Sequence, residues 1–165
     1  MQSQYLRTAA IGALAGAAGG LAEIGWIGIY ASAMGIDAGL VARGVTDSVR
    51  LGDLTAFPVT AGIAVHMLLA GALGIAIAFA LRSAMTILRG ASGKYAGAFT
   101  IYAMVLAVLT VIWAVNFFAV LPQINPPFVH IVPYGASLVS KLLFGIAAAW
   151  FFRLTRLARP SLVRS

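Results

Sequence analysis

Four long apolar segments divide the chain, and each is long enough to cross a bilayer as a helix. About 20 apolar residues in helical conformation span the hydrocarbon core, whereas the strands of a transmembrane barrel alternate in polarity over about 10 residues. The pattern therefore predicts an all-α, polytopic membrane protein, a four-helix antiparallel bundle forming a single membrane domain. We place its helices at about residues 8–34, 56–81, 95–121 and 128–152.

The segment between the first two spans has a different pattern. Residues 36–54 place apolar side chains at roughly helical spacing, with aspartates and arginines between them. This helical spacing of apolar and charged residues is typical of an amphipathic helix lying on a membrane surface. We therefore predict a short surface helix in this loop. The other two connections are a basic loop at 82–94 and an uncharged, proline-containing turn at 122–127.

The positions of lysine and arginine predict how the bundle is oriented. Arg7, three residues of the 82–94 loop and four of the tail after 152 make eight of these residues, whereas the loops at 35–55 and 122–127 hold two. Lysine and arginine are concentrated in cytoplasmic connections. Both termini are therefore expected on the cytoplasmic side, N-in and C-in, in a multi-pass protein of a bacterial inner membrane.

Composition supports this class and excludes several others. The chain is 62% hydrophobic and 9% charged, whereas about a quarter of the residues in a soluble domain are charged. It contains no cysteine, which excludes disulfide, thiolate–metal and thiol-redox chemistry. The net charge of +7 comes from basic residues that flank the apolar segments. Membrane topology explains that charge, and no nucleic-acid partner is expected.

Polar residues inside the spans mark a candidate site. An unpaired ammonium in hydrocarbon costs at least about 2.5 kcal/mol, so Lys141 must point into the protein and find a partner. Residues three and four apart share one side of a helix. The face that carries Lys141 in the last span also holds His130, Tyr134, Ser137 and Gly145.

Depth in the membrane indicates the partner of Lys141. Glu23, the only glutamate, lies about ten residues from the outer end of its helix, as does His66. At about 1.5 Å per residue, both lie near the membrane midplane at the level of Lys141. We therefore expect an ion pair between Glu23 and Lys141 bridged by His66, either as a structural clasp or as a site that binds or relays something. The full set of buried polar or ligand-binding candidates is Glu23, His66, Asn116, His130, Ser137 and Lys141.

No cofactor, metal ion or catalytic residue is expected. His66 and His130 differ by about eight residues of helix, roughly 12 Å along the membrane normal, which is too far for both to ligate one haem iron. The same mismatch disfavours a transition metal held by two histidines and a carboxylate. No nucleophile–base arrangement stands out, so we do not expect enzymatic activity.

Small residues recur at four-residue spacing in the first two spans. Such faces let helix backbones approach closely. Besides membrane lipid, we therefore expect other membrane-protein subunits, or a second copy of the chain, to contact them. The first face contains Gly12, Gly16 and Gly20, and the second contains Ala70, Gly74 and Ala78.

The stretch "GLAEIGW" from Gly20 to Trp26, with Tyr30 a turn later, resembles the first helix of small multidrug resistance transporters. In that family a membrane glutamate exchanges protons for cationic substrates, and Glu23 occupies the matching position. The resemblance is confined to this helix, and the chain departs from the family in its long outer loop and in Lys141. More broadly, the chain is similar to small uncharacterised four-helix proteins of bacterial inner membranes, for which no activity is implied.

Three functions fit these features. The leading hypothesis is an accessory or assembly subunit of a larger membrane complex, with a buried Glu–His–Lys site reachable from the periplasm. The alternatives are a proton-coupled transporter of a small solute or ion, acting as an oligomer, and a quinone-binding redox subunit. A transporter predicts a cavity that reaches Glu23 and His66, a subunit predicts apolar contact with foreign chains, and a quinone site predicts a flat apolar slot beside a histidine.

Overall fold

The computed structural model describes residues 2–92 and 97–155, without the side chains of residues 89–92. Its described residues form helices and turns with no strand. Four helices are long and apolar enough to span a membrane, so the all-α class and the four helices of spanning length that the sequence predicts are confirmed. The antiparallel N-in/C-in orientation and the inner-membrane location stay predictions. The α-helices are α1 (Gln2–Met34), α2 (Ala38–Ser48), α3 (Pro58–Ser92), α4 (Ala98–Val115), α5 (Leu121–Ile124), α6 (Phe128–Ile131) and α7 (Tyr134–Leu154).

The first two spans are longer than the apolar pattern predicts. Helix α1 begins at Gln2, and α3 continues to Ser92 through much of the predicted 82–94 loop. The side chain of Arg82 in α3 connects this helix to the start of α1. Its guanidinium donates to the Thr8 hydroxyl at 2.9 Å and to the Gln4 side chain at 2.8 Å. The last residues of the predicted loop lie outside the described part of the chain.

The predicted span at 128–152 is not one helix. Helix α6 ends at Ile131, Val132 is extended with φ −118° and ψ 101°, and α7 begins after Pro133. A residue before proline avoids helical dihedrals because the proline ring clashes with its backbone. Pro133 therefore separates the single turn of α6 from α7, the helix long enough to span a membrane.

The third span changes its helical pitch before it ends. Residues Asn116–Val120 form a π-helical turn between α4 and α5, and the N–H of Leu121 bonds the carbonyl of Asn116. Pro122 follows, and it has no N–H to give to the carbonyl of Phe118 four residues earlier. Its ring would also clash with that carbonyl in a regular helix. The wider turn relieves this conflict within a continuous span.

Helix α1 is central to the packing of the bundle. It packs against α3 on one side and α7 on the other, and α4 packs against α7. Helices α3 and α4 make little direct contact. A buried cluster, which includes Ala78, Leu109 and Phe144, fills the bundle on the side of Arg82. Toward the other end, the separation of α3 and α4 leaves a gap.

The two small-residue faces pack against each other within the chain. A Cβ atom at Gly12 would lie 2.6 Å from the Cα of Ile75, and one at Gly16 would overlap the carbonyl oxygen of Ala70. Backbone contact this close between α1 and α3 requires glycine. Because each face already covers the other, a partner subunit would need a different surface from the one that the spacing predicts.

The predicted surface helix is present as α2, and Asp37 caps it by accepting from the N–H of Gly39. The Thr46 hydroxyl donates to the carbonyl of Pro58 at 2.5 Å, which ties α2 to the start of α3. On its other side, the Asn125 amide donates to the carbonyl of Gly44 and to the Ser48 hydroxyl, each at 3.0 Å. Helix α2 is therefore held on the bundle by hydrogen bonds at both sides.

The orientation makes a testable prediction. A reporter fused after Ser165 should report cytoplasm, whereas one inserted at Leu54 should report periplasm, because basic residues concentrate on the side of the termini. Leu54 is a suitable site because it is highly exposed. Gly44, which lies in the same loop region, is an unsuitable insertion site because a side chain there would collide with Phe128. A paired alkaline phosphatase and green fluorescent protein assay measures both positions, and a periplasmic C-terminus would contradict the orientation.

Candidate functional site

Glu23 of α1 lies at the centre of a cluster of ionisable side chains. Its carboxylate is almost fully buried, and its Oε1 lies 2.8 Å from the Nζ of Lys141 on α7. The Oε2 atom lies 3.7 Å from the Nε2 of His66 on α3, and the Ser140 hydroxyl donates to Oε1 at 3.4 Å. The ion pair between Glu23 and Lys141 that the sequence predicts is thus confirmed, with His66 beside it.

Two glycines of α1 allow this cluster to form. A Cβ at Gly19 would lie 2.7 Å from the ring of Phe144, and one at Gly20 would lie 2.8 Å from the Cβ of Ala70. Helices α7 and α3 can therefore approach α1 closely one turn before Glu23. The Phe144 ring lies 5.4 Å from the Nζ of Lys141, a cation–π distance that adds to the stabilisation of the ammonium.

A cavity of about 650 Å³ lies beside the cluster. This volume is within the range of small-molecule binding sites, about 300–1,000 Å³. Its wall is mostly apolar, with polar side chains on several helices. The polar lining residues are Glu23, Ser48, His66, Asn116, Ser137, Ser140 and Lys141, and the apolar ones include Ile27, Val45, Leu73, Ile112 and Phe128.

Helix α2 lies over one end of the cavity, and exposed lining residues mark where the cavity opens. Val41, Ala42 and Val45 of α2 line that end, where Val49 and Ile124 are 41% and 54% exposed. On α3, Ile63 and Leu69 line the cavity and are also 43% and 59% exposed. They lie where α3 and α4 separate, within a span that is apolar enough to cross a membrane. The cavity therefore opens between α3 and α4, at the level of the hydrocarbon core.

The structure brings five of the six predicted site residues to one cavity. Glu23, His66, Asn116, Ser137 and Lys141 line it, whereas His130 does not. His130 belongs to α6, and the break at Pro133 rotates that turn away from the regular spacing that placed it on the face of Lys141. That these residues bind a ligand stays a prediction.

Ser137 uses its hydroxyl to join two helices. It accepts from the indole N–H of Trp113 on α4 at 2.9 Å and donates to the carbonyl of Tyr134 at 2.9 Å. A similar bond joins α1 to α7, because the indole N–H of Trp26 donates to the carbonyl of Ala136 at 2.9 Å. These bonds position α7, and with it Lys141.

Asn116 differs from Ser137 in having a free side chain. The described residues give its amide no hydrogen-bond partner, and it is the first residue of the π-helical turn. Turns of this kind inside α-helices are frequent at functional sites because they redirect side chains. Asn116 thus presents an amide to the cavity opposite the cluster on α1 and α7.

Two contributions to the site were not identified in the sequence. Ser140 was overlooked, although it lies three residues after Ser137 and so shares its side of the helix. The part of α2 in the cavity wall was also not foreseen, since an amphipathic pattern does not distinguish a lipid surface from a bundle surface.

Comparisons with protein-family models, with curated proteins and with solved structures find no match to this chain. Fold and site alone therefore define its class. It is a small helical protein with four helices able to span a membrane. An ionisable cluster lies in the wall of an apolar cavity between those helices.

Proposed function

We propose that this protein is a membrane carrier that binds a small solute at Glu23, His66 and Lys141 and couples its movement to protonation. The observation that carries the proposal is the cavity, because its wall contains all three side chains. A clasp that only fixed helix order would need no such space. Ionisable residues within membrane spans are rare and often mark substrate or proton pathways.

The cluster has the chemistry that such coupling requires. An imidazole can bind a proton, and that of His66 lies 3.7 Å from the Glu23 carboxylate. A proton on His66 would strengthen its attraction to Glu23 and weaken the hold of that carboxylate on Lys141. Protonation of His66 and solute binding at Lys141 are therefore linked through the carboxylate that lies between them.

An accessory subunit is the second candidate, and the gap between α3 and α4 supports it. Apolar side chains such as Leu69 and Val111 are exposed on the two helices, and a helix of another subunit could cover them. In that case the cavity would be filled by the partner. Copurification from native membrane under mild detergent would then recover a stoichiometric foreign chain, which a carrier acting alone does not require.

A cysteine-accessibility experiment tests the carrier without knowing its solute. The chain contains no cysteine, so Leu73→Cys and Ile112→Cys each place a single thiol on the cavity wall. Val111→Cys is the matched control, because Val111 neighbours Ile112 but does not line the cavity. Sealed vesicles are treated with a membrane-impermeant maleimide on one face at a time.

A carrier must expose its site to each side in turn, so both cavity thiols should react from both faces. The Val111→Cys thiol should react from neither, since a thiolate does not form in lipid. Cavity thiols that react from one face only, or from neither, would contradict the carrier.

A further inference from the structure

The cavity wall offers hydrogen-bond donors. The Oε1 atom of Glu23 is already engaged, because it receives Lys141 and Ser140. The Oε2 atom lies 3.7 Å from the Nε2 of His66, which is also 3.3 Å from the carbonyl of Gly20. An ammonium carries three N–H donors, and the described contacts of the Lys141 ammonium are Glu23 and the ring of Phe144. Asn116 adds a free amide. A ligand that presents acceptor oxygens therefore fits this wall best.

The charges of the lining residues favour an anionic ligand. Among the described lining residues, the titratable ones are Glu23, His66 and Lys141. Glutamate and lysine cancel, so a charged ligand would add an uncompensated charge to a low-dielectric site. A proton on His66 would compensate an anion. These three side chains offer a cation no such compensation, because their one carboxylate already pairs with Lys141.

The opening indicates the rest of the ligand. In this conformation α2 lies over one end of the cavity, where Thr46 and Asn125 hold it, although Val49 and Ile124 leave part of that end exposed. The side opening between α3 and α4 faces hydrocarbon, and Leu69 and Ile63 lie on both the wall and the surface. A molecule that already resides in the bilayer reaches the cluster by this route.

We infer that the solute is a single-chain amphiphile with an anionic head of the carboxylate class. It passes between α3 and α4 from the bilayer and binds together with one proton. Its head accepts from Lys141 and Asn116, the proton resides on His66, and its apolar chain lies along Leu73 and Ile112. This inference rests on the proposed function, since it names the solute class of the same site.

Displacement of a fluorescent fatty acid tests the solute class. The full chain in phosphatidylcholine nanodiscs is loaded with cis-parinaric acid and titrated with decanesulfonate, decanol or decyltrimethylammonium. The sulfonate stays anionic at every pH used, so its own ionisation does not affect the result. We expect it to displace the probe at least about tenfold more effectively than the other two. We also expect its binding to be stronger at pH 6 than at pH 8.

Three variants test the route and the proton without breaking the ion pair. Leu69→Trp should weaken displacement by decanesulfonate at least about tenfold by filling the side opening. Leu68→Trp should not, because Leu68 is 74% exposed but does not line the cavity. His66→Gln should remove the difference between sulfonate binding at pH 6 and at pH 8, because the proton-carrying imidazole is gone.

Each contrary result has a distinct meaning. Equal displacement by decanol would identify a neutral ligand such as a quinone, and preference for the ammonium would identify a cation site. Either result overturns the inference, as would an unchanged Leu69→Trp. If no probe binds but cavity thiols react from both membrane faces, the inference fails and the carrier stands. If both experiments fail, the proposed function fails with it.

Discussion

Replacing Gly16 with leucine should unfold or misassemble the bundle. A side chain at Gly16 would overlap the carbonyl oxygen of Ala70, and Gly74 packs on the same point from the other helix. The obstacle is backbone, which cannot rotate away as a side chain can. Helices α1 and α3 would have to separate, and we expect a loss of at least about 3 kcal/mol, the upper end of what overpacking costs. Titration with a denaturing detergent, followed by circular dichroism, measures the free energy of unfolding.

The matched control is Gly25→Leu in the same helix. A Cβ there meets nothing within 4 Å, so the change should alter stability by no more than about 0.5 kcal/mol. The two variants make the same substitution and differ only in what surrounds it. Equal stability of both variants would show that α1 and α3 do not pack through Gly16.

Helix length and the depth of polar residues were predictable because both follow from simple geometry. A run of apolar residues long enough to cross a bilayer is visible without any tertiary information. Counting 1.5 Å per residue from the helix ends placed Glu23 and Lys141 at one level, and the structure joins them at 2.8 Å. The counting succeeded because α1 is unbroken from Glu23 to Met34 and because the break at Pro133 affects only the single turn that precedes α7.

The spacing that placed His130 on the face of Lys141 failed because it assumed an unbroken helix. Pro133 interrupts the last span and removes His130 from the face of Lys141. The sequence contained the proline, but a proline near a helix end can either start the helix or break it. Which outcome occurs depends on packing elsewhere, here of Phe128 in a second buried cluster.

The sequence also did not indicate which helix packs against the glycine face of α1. Spacing shows that a helix surface can be approached closely, but not which helix approaches it. Gly12 and Gly16 could equally have packed against a second copy of the chain, and in the structure they pack against α3. This packing also explains the cavity. Helices α3 and α7 pack on different sides of α1, and α4 packs against α7, so that α4 stays apart from α3.

Replacing Glu23 with glutamine, or Lys141 with methionine, should each destabilise the protein by about 3 kcal/mol or more. Each change leaves one member of the ion pair with an uncompensated charge in a low-dielectric site, and breaking a buried pair from one side costs about 3–5 kcal/mol. Glutamine and methionine keep the approximate size of the residues they replace. Loss of charge balance is therefore the main effect, and detergent titration of the free energy of unfolding measures it.

The double variant Glu23→Gln/Lys141→Met should recover most of this loss, because no unpaired charge remains. Coupled residues deviate from additivity by about 0.5–3 kcal/mol, whereas independent ones add. If the two single losses simply sum in the double variant, the ion pair at 2.8 Å does not contribute to stability as a pair. If the double variant is stable, it can be used to test function. A stable double variant that no longer binds decanesulfonate assigns the pair to the ligand, and one that still binds it leaves the pair as a structural clasp between α1 and α7.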